Sequence, residues 1–290
     1  MTQPKRIIDR RNSVPLADAE IAAQSTLDAF SLKGRVALLT GGRAMYGRGC
    51  TEGLADAGAT VYIASHSSRP DDPVVDEIKA RGGGGDVHLI ELHQEDEESI
   101  RNMVETIIEA EGRIDVFVNA SRVIPRGGRA WFQNEEGLDW ATRVNAAGSF
   151  YMSALVGEQM IRQRSGSIIN FGSMMGLVGV EYHNYDRTPG MKLGASAHDY
   201  ALNKSGVISW TRHAAAYYGR YGVRVNCICP GGLATTDMNP RFVTNYNRHT
   251  MLGSLALGTD IRGLALFLAS DASSHITGLS IPFDGGYTNI

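Results

Sequence analysis

Tyr200 and Lys204 stand four residues apart in Tyr200-Ala201-Leu202-Asn203-Lys204, inside a run whose pattern predicts a helix from about Ala197 to Tyr221. One helical turn separates them, so the phenol and the ammonium share a face. A phenol with an ordinary pKa of about 10 is a poor base at neutral pH, and a fixed cation beside it favours the phenolate. Such a pair can exchange a proton with an alcohol or ketone oxygen. The plainer alternative is a packed tyrosine beside a solvated lysine. With 11 tyrosines and five lysines in 290 residues, about 0.2 such pairs arise by chance, so the pair needs corroboration from its neighbours.

A second chemical signal lies near the start. The apolar run Arg35-Val36-Ala37-Leu38-Leu39-Thr40 opens into Gly41-Gly42-Arg43-Ala44-Met45-Tyr46-Gly47-Arg48-Gly49, and a helix pattern follows until Gly58. Strand, glycine turn and helix in that order suit a dinucleotide. Small residues admit the pyrophosphate, and the helix N-terminus offers free N–H groups and positive dipole. A plain tight turn is the alternative reading. Thr60 to Ser65 reads as the next strand and completes a βαβ start.

The elements that must position these groups alternate along the rest of the chain. Val74 to Arg81 is helix-like, and Gly82 to Gly85 forms a loop in the wrong order for phosphate binding, after a helix and before a strand. Val87 to Leu92 is a strand, and Ile100, Met103, Val104, Ile107 and Ile108 make an amphipathic helical stripe. Val116 to Asn119 is a strand, Leu138 to about Arg164 a helix, and Ser167 to Phe171 a strand. After the Tyr200 helix come a strand at Val223 to Ile228, a helix from Asp260 to Ala269 and a short strand at Ile281-Pro282-Phe283. The expected fold is α/β: about seven strands in one parallel, doubly wound sheet with helices on both faces. Residues 1–31 read as an extension, helical in part from Pro15 and either a tail or an inter-subunit arm, and residues 32–290 read as a single domain.

Composition narrows the partners. An apolar fraction of 43% and a charged fraction of 20% are those of an ordinary soluble protein. A net charge of −3 gives no case for nucleic acid or an anionic membrane, and no apolar run reaches the length of a membrane helix. The polar opening Met1-Thr2-Gln3-Pro4-Lys5-Arg6 is not a secretory signal, and three cysteines fit a reducing cytoplasm better than a disulfide framework. Cys227 and Cys229 read as small apolar side chains on one side of a strand. The histidines show no HExxH or similar spacing, so no catalytic metal is expected.

With these pieces in order, the chain from about Leu32 to Tyr287 resembles the short-chain dehydrogenase/reductase family, whose fold is of Rossmann type. The family's TGxxxGxG turn appears as Thr40 to Gly47, its tyrosine and lysine as Tyr200 and Lys204, and its serine as Ser173 in Asn170-Phe171-Gly172-Ser173. Its asparagine matches Asn145 in Val144-Asn145-Ala146-Ala147-Gly148, and its PG motif matches Pro230-Gly231, with Thr235 beyond. The ending Asp284-Gly285-Gly286-Tyr287 is similar too.

The resemblance implies an NAD(P)-dependent oxidoreductase that interconverts a secondary alcohol and a ketone. Ser173 would hold the reacting oxygen and Tyr200 would exchange its proton. Lys204 would lower the tyrosine pKa and hold the nicotinamide ribose, and Asn145 would anchor a water leading from Lys204. Gly41, Arg43, Met45, Tyr46, Gly47, Ser65, His66, His93, Asn119, Ala120, Pro230, Gly231 and Thr235 would surround the nucleotide, with Thr235 at the carboxamide. A homotetramer is implied by the same likeness.

Several positions depart from the family pattern. Met45 replaces the middle glycine of the turn, Asn119-Ala120-Ser121-Arg122 replaces Asn-Asn-Ala-Gly, and His93 stands where an adenine-facing aspartate is common. They leave open a rival: the same scaffold with lost or altered cofactor use, as a binding protein or cofactor-free lyase. Ser65-His66-Ser67-Ser68-Arg69 carries no carboxylate at the end of the second strand, which with Arg43 favours NADP over NAD. Leu177 to Ser196 is longer than the family's usual link and carries Tyr185 and Arg187. Asn245-Tyr246-Asn247-Arg248-His249 lies in the loop region expected after Pro230. Tyr185, Arg187 and Tyr246 are therefore expected to meet a polar, polyhydroxylated substrate such as a sugar or sugar acid, unless these are ordinary solvated loops.

Overall fold

The computed structural model describes residues 25–66, 72–123, 135–185 and 197–290. Its strands are β1 (Val36–Thr40), β2 (Thr60–Ser65), β3 (Val87–Glu91), β4 (Val116–Asn119), β5 (Gly166–Phe171), β6 (Val223–Pro230) and β7 (Ser280–Phe283). Every pair is parallel, and the order across the sheet is β3-β2-β1-β4-β5-β6-β7. All five residues of β1 are buried, which is why it reads as an unbroken apolar run rather than an alternation.

Helices cover both faces: α1 (Met45–Asp56), α2 (Pro73–Lys79), α3 (Glu97–Glu111), α4 (Glu135–Thr142), α5 (Ser149–Gln163), α6 (Ala197–Tyr218), α7 (Pro240–Arg248) and α8 (Arg262–Ala269). The pleat of β1 sends alternate side chains to opposite cores. Ala37 and Leu39 pack with Leu54 of α1, Ile78 of α2 and Leu268 of α8. Val36 and Leu38 pack with Ile107 of α3, Met152 of α5 and Tyr218 of α6. The amphipathic stripe of α3 lies buried as its spacing requires, with Asp96 capping the first turn through Glu98 and Ser99 N–H at 3.2 Å each and Gly112 (φ 73°) ending it.

Two expectations need correction. The helix expected over Leu138 to Arg164 is broken by a π-helical segment, Arg143–Gly148, that joins α4 to α5. The segment Asn245 to His249 was expected as loop, yet it belongs mostly to α7. Asn239 caps that helix by accepting from Arg241 N–H at 2.9 Å, and Pro240 occupies its first turn. Of the expected extension, residues 1–24 lie outside the described residues. Asp28–Phe30 form a 3-10 turn that sets Phe30 against Phe267 at 6.4 Å between rings.

The strand order reverses between β1 and β4. There Thr40 pairs in register with Asn119, and the chains leaving the two strand ends part to opposite faces. In a sheet of this kind the crevice outside that point is the ligand site.

Candidate active site

Ser173 follows the end of β5 and Tyr200 is the fourth residue of α6, so a strand end and a helix side bring together residues 27 apart in sequence. The Ser173 hydroxyl hydrogen-bonds the Tyr200 phenol, and it also accepts from Met175 N–H at 3.2 Å. Lys204 lies behind the pair. Its Nζ stands 5.7 Å from the Tyr200 ring centre and donates to the Phe171 carbonyl at 2.7 Å. Lys204 is 3% exposed, and burial pushes its ammonium down to about 8.

The expectation that Lys204 lowers the Tyr200 pKa is corrected here. The phenol is raised above its ordinary value, because desolvation outweighs the groups that oppose it. Those groups are the Arg122 guanidinium, which hydrogen-bonds the phenol, and the Ser173 hydroxyl. The cation acting on Tyr200 is thus Arg122, a residue noted in the sequence only as a departure from a motif. Its Nη2 also lies 3.3 Å from Met45 Sδ.

Asn145 sits in the π-helical segment and is 1% exposed. Its amide is committed on both sides to the Val123 backbone, accepting from Val123 N–H and donating to Val123 C=O at 2.8 Å each. The Asn145 carbonyl accepts from Ser149 Oγ at 3.0 Å. The side chain therefore fixes the segment that carries Arg122.

At the glycine turn, Gly41 has φ 68° and passes so close to the next strand that an added Cβ would meet the Ser121 backbone at 2.9 Å. A Cβ on Gly47 would lie 2.1 Å from the Gly41 carbonyl. Both positions therefore require glycine. Met45 opens α1 at φ 55°, a left-handed conformation that a side chain resists, and its side chain is 43% exposed at the mouth of the turn. Tyr46 turns inward. Its hydroxyl donates to the Gly232 carbonyl at 3.1 Å and its ring meets Phe283 edge-on at 5.7 Å, so only its backbone faces the crevice. The first-turn N–H groups of α1 have no partners within the helix.

Asn119 is buried, accepting from Thr40 Oγ1 at 3.2 Å and donating to the Ser149 carbonyl at 3.4 Å. Ala120 donates its N–H to the Thr40 carbonyl at 3.3 Å. Both hold the crevice wall in place. At the far end of the crevice Arg43 donates to Ser65 Oγ at 3.3 Å and pairs with the buried Asp72 carboxylate, which chain order did not reveal. The His66 and His93 rings meet edge-on at 4.4 Å.

Beyond β6, Gly231 donates its N–H to the Phe283 carbonyl at 2.9 Å beside Pro230, and Thr235 is exposed in the loop that follows. A small recess next to Ser173 is lined by Met174, Met175, Val178, Asn184, Tyr185 and Tyr287. Tyr185 is among them, tilted against Phe242 at 5.2 Å. Tyr246 is not. It is 2% exposed, stacks on Tyr287 at 4.9 Å, and its hydroxyl accepts from Gly232 N–H at 2.6 Å, so it supports the recess from behind. Arg187 lies outside the described residues. Asn184 precedes Tyr185 in the chain. It is 2% exposed and donates to the Tyr287 hydroxyl at 2.8 Å, while its Oδ1 is buried without a partner.

These residues fit a dinucleotide: a glycine turn that only glycine can form, an open helix N-terminus, and a crevice leading to Tyr200 and Lys204. The comparisons agree. A family model described as enoyl-(acyl carrier protein) reductase matches residues 46–288. The chain is 35% identical over 262 residues to a 3-oxoacyl-(acyl-carrier-protein) reductase of Thermotoga maritima, covering 88% of this chain and 98% of that one. It is 32% identical over 265 residues to a 2,5-dichloro-2,5-cyclohexadiene-1,4-diol dehydrogenase of Sphingobium indicum, covering 90% and 98%. Among solved structures, a gluconate 5-dehydrogenase of Burkholderia cenocepacia in complex with NADP and tartrate superposes with a TM-score of 0.79 at 26% identity, covering 92% of this chain and 100% of that one.

Proposed function

The chain belongs to the short-chain dehydrogenase/reductase family and is an NAD(P)-dependent oxidoreductase acting between alcohol and ketone, and from that premise we propose that it acts on a polar, polyhydroxylated substrate of the sugar or sugar-acid class. The observation that carries the proposal is the Asn184 Oδ1, buried without a hydrogen-bond donor in the wall of the recess that begins at Met174, the residue after Ser173. A buried acceptor left unpaired costs about 1–3 kcal/mol, so the site is built to take a donor such as a substrate hydroxyl. The Arg122 guanidinium at Tyr200 adds a cation that suits a carboxylate. The gluconate 5-dehydrogenase crystallised with tartrate is consistent with that class.

Ser173 holds the reacting oxygen by hydrogen bond, and Tyr200 gives or takes its proton. Lys204, anchored by its bond to the Phe171 carbonyl, would hold the nicotinamide ribose when the nucleotide is bound. The nicotinamide, when bound, accepts or donates the hydride, so the chain's own task is alignment and proton handling. Arg43, hydrogen-bonded to Ser65 at the end of β2, favours NADP. Asp72 tempers that preference by neutralising Arg43. Trp140, Phe150, Tyr151 and Tyr217 stay exposed on α4, α5 and α6, which supports the reading of a homotetramer.

The test is a titration with NADPH and NADH followed by nucleotide fluorescence, then turnover on a panel of sugars, sugar acids and apolar ketones. Tighter NADPH and highest kcat/KM on a sugar acid are expected. Preference for an apolar ketone would overturn the substrate class, and preference for NADH would overturn the cofactor choice.

A further inference from the structure

His66 leaves the end of β2, and His93 and Glu95 follow the end of β3. One ligating atom from each of these three side chains lies within 4.8 Å of the other two. The ends of adjacent parallel strands create this grouping, in which His66 is 27 residues from His93. We propose that His66, His93 and Glu95 form a binding site for a divalent transition-metal ion of the Zn2+ class at the outer end of the nucleotide crevice.

Three observations converge on it. The donor set is two imidazoles and a carboxylate, the set borderline ions prefer over Mg2+ or Ca2+. The two nitrogens of His93 face different groups. Nε2 meets Glu91 Oε1 at 3.1 Å, while Nδ1 faces Glu95 Oε1 at 3.8 Å. A carboxylate on the remote nitrogen is the arrangement that orients a metal-bound histidine and fixes its tautomer, so Glu91 is the positioning residue and Nδ1 the ligand. Finally, a tetrahedral ion with bonds of about 2.0–2.1 Å needs ligand atoms about 3.4 Å apart, and side chains that are largely exposed at the surface close from 4.8 Å by rotation alone. Water completes the shell.

The consequence rests on the nucleotide reading given above: an ion there stands where the adenosine end of the nucleotide would lie, so the two exclude one another. The site itself does not depend on that reading.

Zn2+ is titrated by calorimetry into tag-free protein, with the visible absorption of Co2+ reporting coordination. One ion per chain is expected, with affinity at least tenfold weaker in His66→Ala, His93→Ala and Glu95→Gln. Glu91→Gln should weaken it about tenfold without changing the stoichiometry. Thermal melting without metal should match the parent in every variant, since these are surface side chains. No bound ion, or an ion bound equally well by both histidine variants, overturns the proposal. Saturating NADPH should weaken Zn2+ binding, and unchanged affinity would overturn its placement at the crevice. If neither nucleotide binds while Zn2+ still does, the cofactor reading fails and the metal site stands.

Discussion

Arg122 Nη2 lies 3.3 Å from Met45 Sδ, joining the segment after β4 to the first residue of α1 across the mouth of the crevice. Both residues stand where the family pattern has glycine, and their side chains meet across the mouth. A nucleotide entering the crevice must part this contact or pass beneath it.

Met45→Gly removes a side chain from that mouth and relieves a backbone held at φ 55°. The left-handed strain is worth about 1–2 kcal/mol, so stability should rise by about that much, and nucleotide affinity should rise because the side chain no longer stands at the mouth. Met45→Val should do the reverse, since a branched side chain tolerates positive φ poorly. Fluorescence titration and urea unfolding check both.

Arg122→Ala removes a cation that lowers the Tyr200 phenol. The rising limb of the pH profile of kcat/KM for alcohol oxidation, which follows phenolate formation, should move to higher pH. Ser173→Ala removes the other hydrogen bond to the phenol, so any residual activity should shift the same way. A limb that stays in place would separate Arg122 from the proton transfer.

Lys204→Met separates catalysis from stability. Activity should fall by about 10²–10⁴-fold. The folded pKa of about 8 lies below the ordinary 10.5, so between those values the unfolded chain holds more protons and the folded state gains stability as pH rises. The variant lacks that gain. Its Tm relative to the parent should be most favourable at or below pH 8 and decline toward pH 10.5, as scanning calorimetry across that range would record.

Asn145→Ala strips two hydrogen bonds from the Val123 backbone in a buried setting. A loss of about 2–4 kcal/mol is expected from the two unpaired groups. Because Val123 adjoins Arg122, the rising limb of the pH profile should shift as it does in Arg122→Ala. Urea unfolding measures the first effect and pH-rate profiles the second.

Asn184→Leu removes the unpartnered acceptor in the recess wall together with the bond to Tyr287. On a sugar acid, KM should rise about tenfold or more with a smaller change in kcat, while an apolar ketone should lose little. Equal losses on both would mean a packing defect instead.

The sequence by itself determined the parallel sheet, because local signals marked its strands and most of its helices: an unbroken apolar run for β1, a 3-4 stripe for α3, and glycines at Gly41 and Gly47 where no side chain fits. Helix spacing also put Tyr200 and Lys204 on one face, and the resemblance to the family added Ser173 to them. The sequence could not give the balance at Tyr200, where burial beats the cation and the cation is Arg122 rather than Lys204. That balance depends on how much water the packed site excludes. Nor could it foresee Asp72 on Arg43, the buried hydroxyl of Tyr246, the unpaired Oδ1 of Asn184, or His66 beside His93. Each joins residues far apart in the chain or turns on burial, and only the pairing of strands and the closing of loops over the strand ends decides such contacts.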